Sequence, residues 1–270
     1  MNRTIMIAIG LGMTAQVSMG QTFINSLGDT LFRTDGVGGS TTSFTLSAEL
    51  NSLAVNPATG EIFGASPNDA NGNGFRELYR LDNPTGTPSL TLIGDFLTEN
   101  TDTLSFVEGD LLGIQQEPNV PSATGTLINI DLDTLTQSTI DDDLSQQHAA
   151  SGYDPATGTL FATTQGNASV AGFFTVPFNN ADVVSQFVGN TGQAAINDGG
   201  EFFNGTFYHA ANVQGGDLVI GTIDTDTGAF TELFNLGTSM NESVGLVVIP
   251  APGAAGVFGV LGLAGLRRRR

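Results

Sequence analysis

Glu61-Ile-Phe-Gly64, Asp110-Leu-Leu-Gly113, Thr159-Leu-Phe-Ala162 and Thr206-Phe-Tyr-His209 are copies of one short pattern, and their starts differ by 49, 49 and 47 residues. Thr22-Phe-Ile-Asn25 serves as a fifth copy. A second series keeps the same spacing: Leu31-Phe-Arg-Thr-Asp35, Leu78-Tyr-Arg-Leu-Asp82, Leu127-Ile-Asn-Ile-Asp131, Phe173-Phe-Thr-Val-Pro177 and Gly221-Thr-Ile-Asp224. Self-similarity at a period of about 20–50 residues is the mark of a repeat architecture. Between the copies lie Leu53-Ala-Val-Asn-Pro-Ala-Thr-Gly60 and Gly152-Tyr-Asp-Pro-Ala-Thr-Gly158, in which Asn or Asp, Pro and Gly specify a tight turn between two strands. Asn204-Gly205 between Phe203 and Phe207 has the chemistry of a hairpin turn.

Adding strands of the Ser89-Leu-Thr-Leu-Ile-Gly94 type, each unit holds four short strands, and four strands in about 45–50 residues is the size of a propeller blade. Sustained helical periodicity is absent between the ends of the chain. Five units fit from Thr22 to Ile249 without remainder. The reading is therefore all-β: a β-propeller of five four-stranded blades, with a β-sandwich or a six- or seven-bladed ring as alternatives. The pattern resembles bacterial extracellular propellers whose blades combine a Leu-Tyr-small strand, a Val-Ile-Asp strand and a Pro-Asp-Gly-like turn. That resemblance implies that the Ile-Phe-Gly strands are innermost. Gly64, Gly113 and Ala162 suit a crowded axis, and ordinary strand glycines or β-bulges fit them as well.

The 270 residues contain no Cys, no Trp and no Lys, so disulfide scaffolds and cysteine chemistry are excluded. Eight Arg stand against 27 acidic residues, for a formal charge of −19. Such a surface repels nucleic acid and anionic lipid. Of the eight, Arg3 and the four at positions 267–270 lie near the two ends of the chain, leaving Arg33, Arg76 and Arg80 against all 27 acids, a balance of −24 for the body.

The ends read as addresses. Residues 1–20 have an early Arg3, an apolar stretch over positions 5–13 and small residues Ser18 and Gly20 before Gln21, the layout of a secretory signal peptide. Residues 250–270 carry Pro250, Ala251, Pro252 and Gly253, thirteen apolar or small residues, and then Arg267, Arg268, Arg269 and Arg270. At ~1.5 Å per residue the apolar run spans roughly 20 Å, short of a hydrocarbon core of ~30 Å, while the Arg cluster would hold that end in the cytoplasm. A membrane helix without processing is the plainer reading. The tail resembles the PEP-CTERM sorting signal of bacterial proteins handled by exosortases, although Ala251 stands where that family has Glu. The resemblance implies export, transient retention by the inner membrane, cutting near Pro250 by an exosortase-like enzyme, and a cell-surface or extracellular destination. The body is then residues 21–249.

Strands that alternate in direction split the turns into two faces. One face is short and stereotyped, at 56–60, 154–158, 204–205 and 224–228. The other holds long, unlike loops at 67–74, 95–102, 116–125, 140–149, 190–195 and 237–243, the expected seat of any binding. Within it, Asp69, Asn71 and Asn73 with Gly74 match the first half of a calcium loop; Glu77 falls at the ninth position, but Arg80 stands at the twelfth, where a bidentate Glu belongs. The alternative is a plain Asn-Gly turn. Asp141, Asp142 and Asp143 followed by His148 could ligate metal or act as acid and base, or form a solvated loop. His209 replaces the Gly or Ala of the other units, as a ligand contact or a structural His. No nucleophile elbow, paired-His zinc motif or phosphate loop is present. The composite expectation is a non-enzymatic surface or matrix propeller that offers an acidic loop face to a polysaccharide, a cation such as Ca2+ or a protein. A secreted glycosidase using loop-face carboxylates is the alternative.

Overall fold

In the computed structural model the described residues are 20–116, 124–144, 146–164, 171–179, 184–193, 195–213, 216–237 and 244–251. They form twenty strands in five antiparallel four-stranded sheets, with no helix among them. The first blade contains β1 (Gln21–Leu27), β2 (Thr30–Asp35) and β3 (Thr41–Thr45). The second is β4 (Ser52–Val55), β5 (Ile62–Ala65), β6 (Arg76–Asp82) and β7 (Ser89–Leu97). The third is β8 (Thr101–Val107), β9 (Asp110–Gln116), β10 (Gly125–Asp131) and β11 (Thr136–Leu144). The fourth is β12 (His148–Asp154), β13 (Thr159–Thr164), β14 (Gly172–Val176) and β15 (Gln186–Asn190). The fifth is β16 (Ala195–Phe203), β17 (Thr206–Val213), β18 (Leu218–Ile223) and β19 (Phe230–Asn235). The last strand, β20 (Val244–Pro250), returns to pair with β1 and completes the first blade, so the ring is a five-bladed β-propeller.

The radial order differs from the expectation. Strands β4, β8, β12, β16 and β20 flank one another around the axis, so they are innermost. The Ile-Phe-Gly strands β5, β9, β13 and β17 are second in their blades. The reason is crowding by backbone. A methyl group on Gly152 would lie 2.5 Å from Phe202 N, one on Gly199 2.6 Å from Leu246 N, and one on Gly245 2.9 Å from Leu53 N. Each of these glycines sits on an innermost strand and meets the next blade's main chain, which cannot yield. Gly64 and Gly113 instead meet mainly side chains, Leu50 and Leu53 for the first and Thr101 and Ile128 for the second. Gly152→Ala is accordingly expected to cost roughly 1–3 kcal/mol, the range for overpacking a filled site. An unchanged denaturant midpoint would contradict the close approach of β12 and β16.

The core is not one mass. Among the described residues it divides into five clusters, one at each junction of neighbouring blades. Phe23 packs with Tyr208 and Leu246 between the first and fifth blades, and Ile24 with Leu53 and Val247 between the first and second. Phe63 meets Phe106 between the second and third, Leu112 meets Leu160 between the third and fourth, and Phe173 meets Phe207 between the fourth and fifth. Consecutive residues such as Ile62 and Phe63 therefore both point into apolar surroundings, on opposite faces of the blade. That is why these strands read as short apolar runs rather than as alternating ones.

The short-turn face is built by side chains that fold back on the main chain. Asn56 Oδ1 accepts from Ala58 N at 2.9 Å, and Asp154 Oδ1 does the same from Ala156 N at 2.9 Å. Asp131 and Asp224 repeat the device in the turns after β10 and β18. Backbone and Thr hydrogen bonds hold both of those carboxyls below the usual carboxylate range. Gly60, Gly158 and Gly228 close three of these turns at φ of 76°, 68° and 74°. A share of the acidic excess is thus structural and lies away from the long loops.

Candidate functional site

Strands alternate in direction, so the links between the second and third strands of a blade, and the links from one blade to the next, share one face. The loops expected to be long all fall there, and several are shorter than the sequence suggested. Outermost strands β7 and β11 run nine residues, held by bulged registers against β6 and β10, and take in Asp95 and Asp141–Asp143. Asp102 belongs to β8 and His148 to β12, which leaves, among the described residues, only 98–100 and 146–147 as links. Residues 117–123 and 238–243 of the expected loops lie outside the described residues, as do the signal segment 1–19, Pro252, Gly253 and Arg267 to Arg270.

The structure separates the Asp141–His148 constellation. Asp141 is buried on the outermost strand of the third blade, with Asp143 N donating to its Oδ1 at 2.8 Å, while Asp142 and Asp143 are exposed. His148 heads the innermost strand of the fourth blade, fully buried, with Nε2 2.9 Å from Ser185 Oγ and its ring edge-on to Phe174. Burial pulls its pKa down to about 4, against an opposing bond to the Thr163 backbone. Among the described residues no three His, Asp or Glu side chains converge as a metal site.

His209 lies on β17, second from the axis, fully buried, its Nε2 3.5 Å from Asp198 Oδ2 and its ring edge-on to Phe230. Burial drives its pKa down to about 3. Asp198, on β16, is driven the other way, well above the usual carboxylate range, because burial outweighs the bonds from Asn212 N and Thr163 Oγ1. Burial thus shifts each toward its neutral form, the direction a dry interior favours over an ion pair.

Asp198 shares a small axial cavity with Asp102, whose other walls include Ser52, Ala150, Gly199 and Gly245. All five innermost strands contribute to it. Asp102 Oδ1 accepts from Asn100 Nδ2 at 2.6 Å and Oδ2 from Gln147 Nε2 at 3.3 Å, while Asn51 Nδ2 bonds Asn100 Oδ1 at 2.6 Å. Burial nevertheless pushes Asp102 up to about 7. Glu201, half-buried on β16, is also raised well above its ordinary value by burial, against a bond from the Val55 backbone. About 10 Å3 of the cavity is open to the centre of a water molecule, room for about one water. A sugar-binding pocket is a cleft of roughly 300–1,000 Å3. The sequence places Asp102 among the acids of the 95–102 loop and not at the axis, and it gives no sign of Asp198 or Glu201 beyond an acid at each end of two glycines in Asp198-Gly-Gly-Glu201.

The half calcium loop lies between β5 and β6. Asp69 Oδ1 accepts from Asn73 N at 3.1 Å and Oδ2 from Gly74 N at 2.7 Å, and Asn73 Nδ2 donates to Asp95 Oδ2 at 2.7 Å. Glu77 Oε1 accepts from Ala70 N at 3.1 Å and from Asn71 Nδ2 at 3.3 Å, so the structure does bring Asp69, Asn71, Asn73 and Glu77 to one loop.

At the opposite face the ends of the described chain meet. Gln21 pairs with Pro250, and Ala251 N donates to Gly20 O at 2.5 Å. The first two residues of the expected sorting motif are thus seated in or beside the sheet. Among the described residues no helix is long and apolar enough to cross a membrane.

No protein-family model matches the chain, and no curated protein matches it. Among solved structures it is similar to a chain of a nidogen/laminin complex, at 8% identity and a TM-score of 0.54, over 85% of this chain and 98% of that one. It also matches a TolB protein of Agrobacterium tumefaciens at 10% identity and a TM-score of 0.47, over 87% and 99% of the two chains. A β-xylosidase, RS223, matches at 13% identity and a TM-score of 0.48, over 77% and 84%. At such identities the likeness is one of fold: this chain is a β-propeller.

Proposed function

We propose that the protein is an exported, non-enzymatic surface or matrix propeller, held during sorting by residues 250–270 and displaying its long-loop face to a polysaccharide or protein. One observation carries the reading: β1 begins and β20 ends side by side on the short-turn face, through the Gln21–Pro250 pair and the Ala251–Gly20 bond. A segment leaving there directs the unlike loops away from whatever it is attached to. The acidic body repels anionic partners and favours neutral glycans, cations or basic protein surfaces. Mass spectrometry of the exported protein tests the sorting step. Ends at Gln21 and near Pro250 are expected, together with binding in a screen of surface polysaccharides and envelope proteins; an intact Arg270 in exported protein overturns the sorting step.

A second reading, a glycosidase, draws on Asp102 and Asp198 lining one cavity. Against it stands the water-sized opening. Hydrolysis of an aryl glycoside or a polysaccharide that disappears in both Asp102→Asn and Asp198→Asn would replace the first reading with this one.

A further inference from the structure

The loop between β5 and β6 carries an observation that hydrogen bonding within the protein does not account for. Glu77 is 1% exposed, and while its Oε1 is bonded by Ala70 N and Asn71 Nδ2, its Oε2 is buried with no hydrogen-bond partner. An unsatisfied buried carboxylate oxygen is costly, and a bound cation is one of the few partners that would satisfy it. The bonds to Oε1 come from the loop itself, so the carboxylate head is turned into it.

We propose that this loop binds Ca2+ through Asp69, Asn71, Asn73 and Glu77, with Glu77 Oε2 as the ligand that completes a site the sequence alone left half built. Asp69, Asn71 and Asn73 stand at alternate positions, followed by Gly74 at a φ of 90°, where a calcium loop turns sharply. The backbone already wraps the first carboxylate, since Asn73 N and Gly74 N both donate to Asp69. Without a cation, the amide of Asn71 turns its nitrogen to Glu77; with one, the same side chain presents Oδ1 in the same volume. Hard oxygen donors of mixed charge suit Ca2+, which takes 6–8 of them in flexible geometry, better than Mg2+, which demands a tight octahedron.

The charge count sets the affinity. Two carboxylates ligate, and Arg80 at the twelfth position is engaged with Asp82 and Glu61. Water must fill the remaining positions. That places the site in the weak class of extracellular modules, with Kd of about 0.1–1 mM. The proposal does not rest on the surface role argued above, and its readouts are separate from ligand screening and from terminal processing.

Titration of the full chain with CaCl2 and with MgCl2, followed by thermal melting, is the first measurement. A rise in Tm with CaCl2 that MgCl2 does not reproduce at equal concentration is expected. Tb3+ emission excited through tyrosine is the second, because Tyr79 stands two residues from Glu77 on β6. Asp69→Asn and Asn71→Ala should weaken calcium by at least roughly tenfold and a few fold respectively, and because Asn71 donates to the buried Glu77 and Asp69 accepts from two loop amides, each is read as the calcium-induced rise in Tm above that variant's own calcium-free value. Glu77→Gln, which removes the carboxylate ligand while keeping the side chain's shape, is expected to lose the calcium response. No calcium-dependent Tm shift at about 10 mM, together with no tyrosine-sensitised emission, overturns the site. So does binding that survives Asp69→Asn and Glu77→Gln unchanged, since calcium is then held elsewhere on the acidic surface.

Discussion

A chain ending at residue 243 is expected to lose its cooperative unfolding transition, whereas one ending at residue 251 melts with the full-length chain. The missing strand is β20, which pairs with β1 over seven positions from Gln21–Pro250 to Leu27–Val244. Leu246, Val247 and Val248 are fully buried, and they serve two junctions at once, Leu246 and Val248 toward the fifth blade and Val247 toward the second. With Val244 that makes four buried aliphatic side chains at about 1.5–3 kcal/mol each, or roughly 6–12 kcal/mol. Domains of this kind are stable by only about 5–15 kcal/mol, so the loss is of the size of the whole. Removing β20 also turns β1 from an interior strand into an open edge at the axis, an invitation to aggregate. Circular dichroism and size-exclusion chromatography of the two truncations decide the matter. A 243-residue chain that stays monomeric with a sharp melt at the parent Tm would mean that the ring does not depend on its closing strand.

The repeat announced the number of blades but not their radial order, and the physical reason is specific. Every strand type in a propeller recurs with the same period, so the period cannot say which type faces the axis. What does say so is the pairing of β20 with β1, a contact between the two ends of the body, and the backbone approach at Gly152, Gly199 and Gly245. Gly64 and Gly113 recur in register at the end of their four-residue copies and yet sit one strand further out. Turn chemistry was more legible, because Asn56, Asp131, Asp154 and Asp224 act on residues two or three positions away. The candidate sites divide along the same line. Asp69, Asn71 and Asn73 fall together because they are neighbours in the loop before β6, and Glu77, near the start of β6, is bonded by Asn71. Asp102 and Asp198 meet because the ring brings the third and fifth blades to a common axis, and no local pattern records that. His209 was noticed for breaking the repeat, but its partner Asp198 lies on the adjacent strand, in a register that only the fold reveals.

Asp198→Asn is expected to stabilise the protein at pH 8 and to lose that advantage as the pH falls. A carboxyl whose folded pKa is raised contributes stability that is complete below its unfolded pKa of about 3.9 and is lost as the pH rises through the folded value. Asp102, at about 7, and Asp198 and Glu201, both well above normal, all act in this direction. The buried histidines act in the opposite one. Their neutral forms are favoured, so their contribution is complete above about pH 6.5 and is lost as the pH falls toward the folded values of about 4 for His148 and about 3 for His209. Between pH 8 and 6.5 only the carboxyls work, and the parent should gain stability on acidification. Relief of repulsion among the 27 acidic residues pulls the same way, so the difference between parent and variant is the quantity to read. Asn keeps an oxygen at the Oδ2 position to accept from Thr163 Oγ1, preserving the local volume while removing the titration. Urea denaturation in small pH steps should show the parent's slope exceeding that of Asp198→Asn by up to one proton, or about 1.4 kcal/mol per pH unit. Parallel curves would show that Asp198 is ionised in the folded state, and the interior around it would then have to supply a counter-charge, for which protonated His209, 3.5 Å away, is the neighbour in reach.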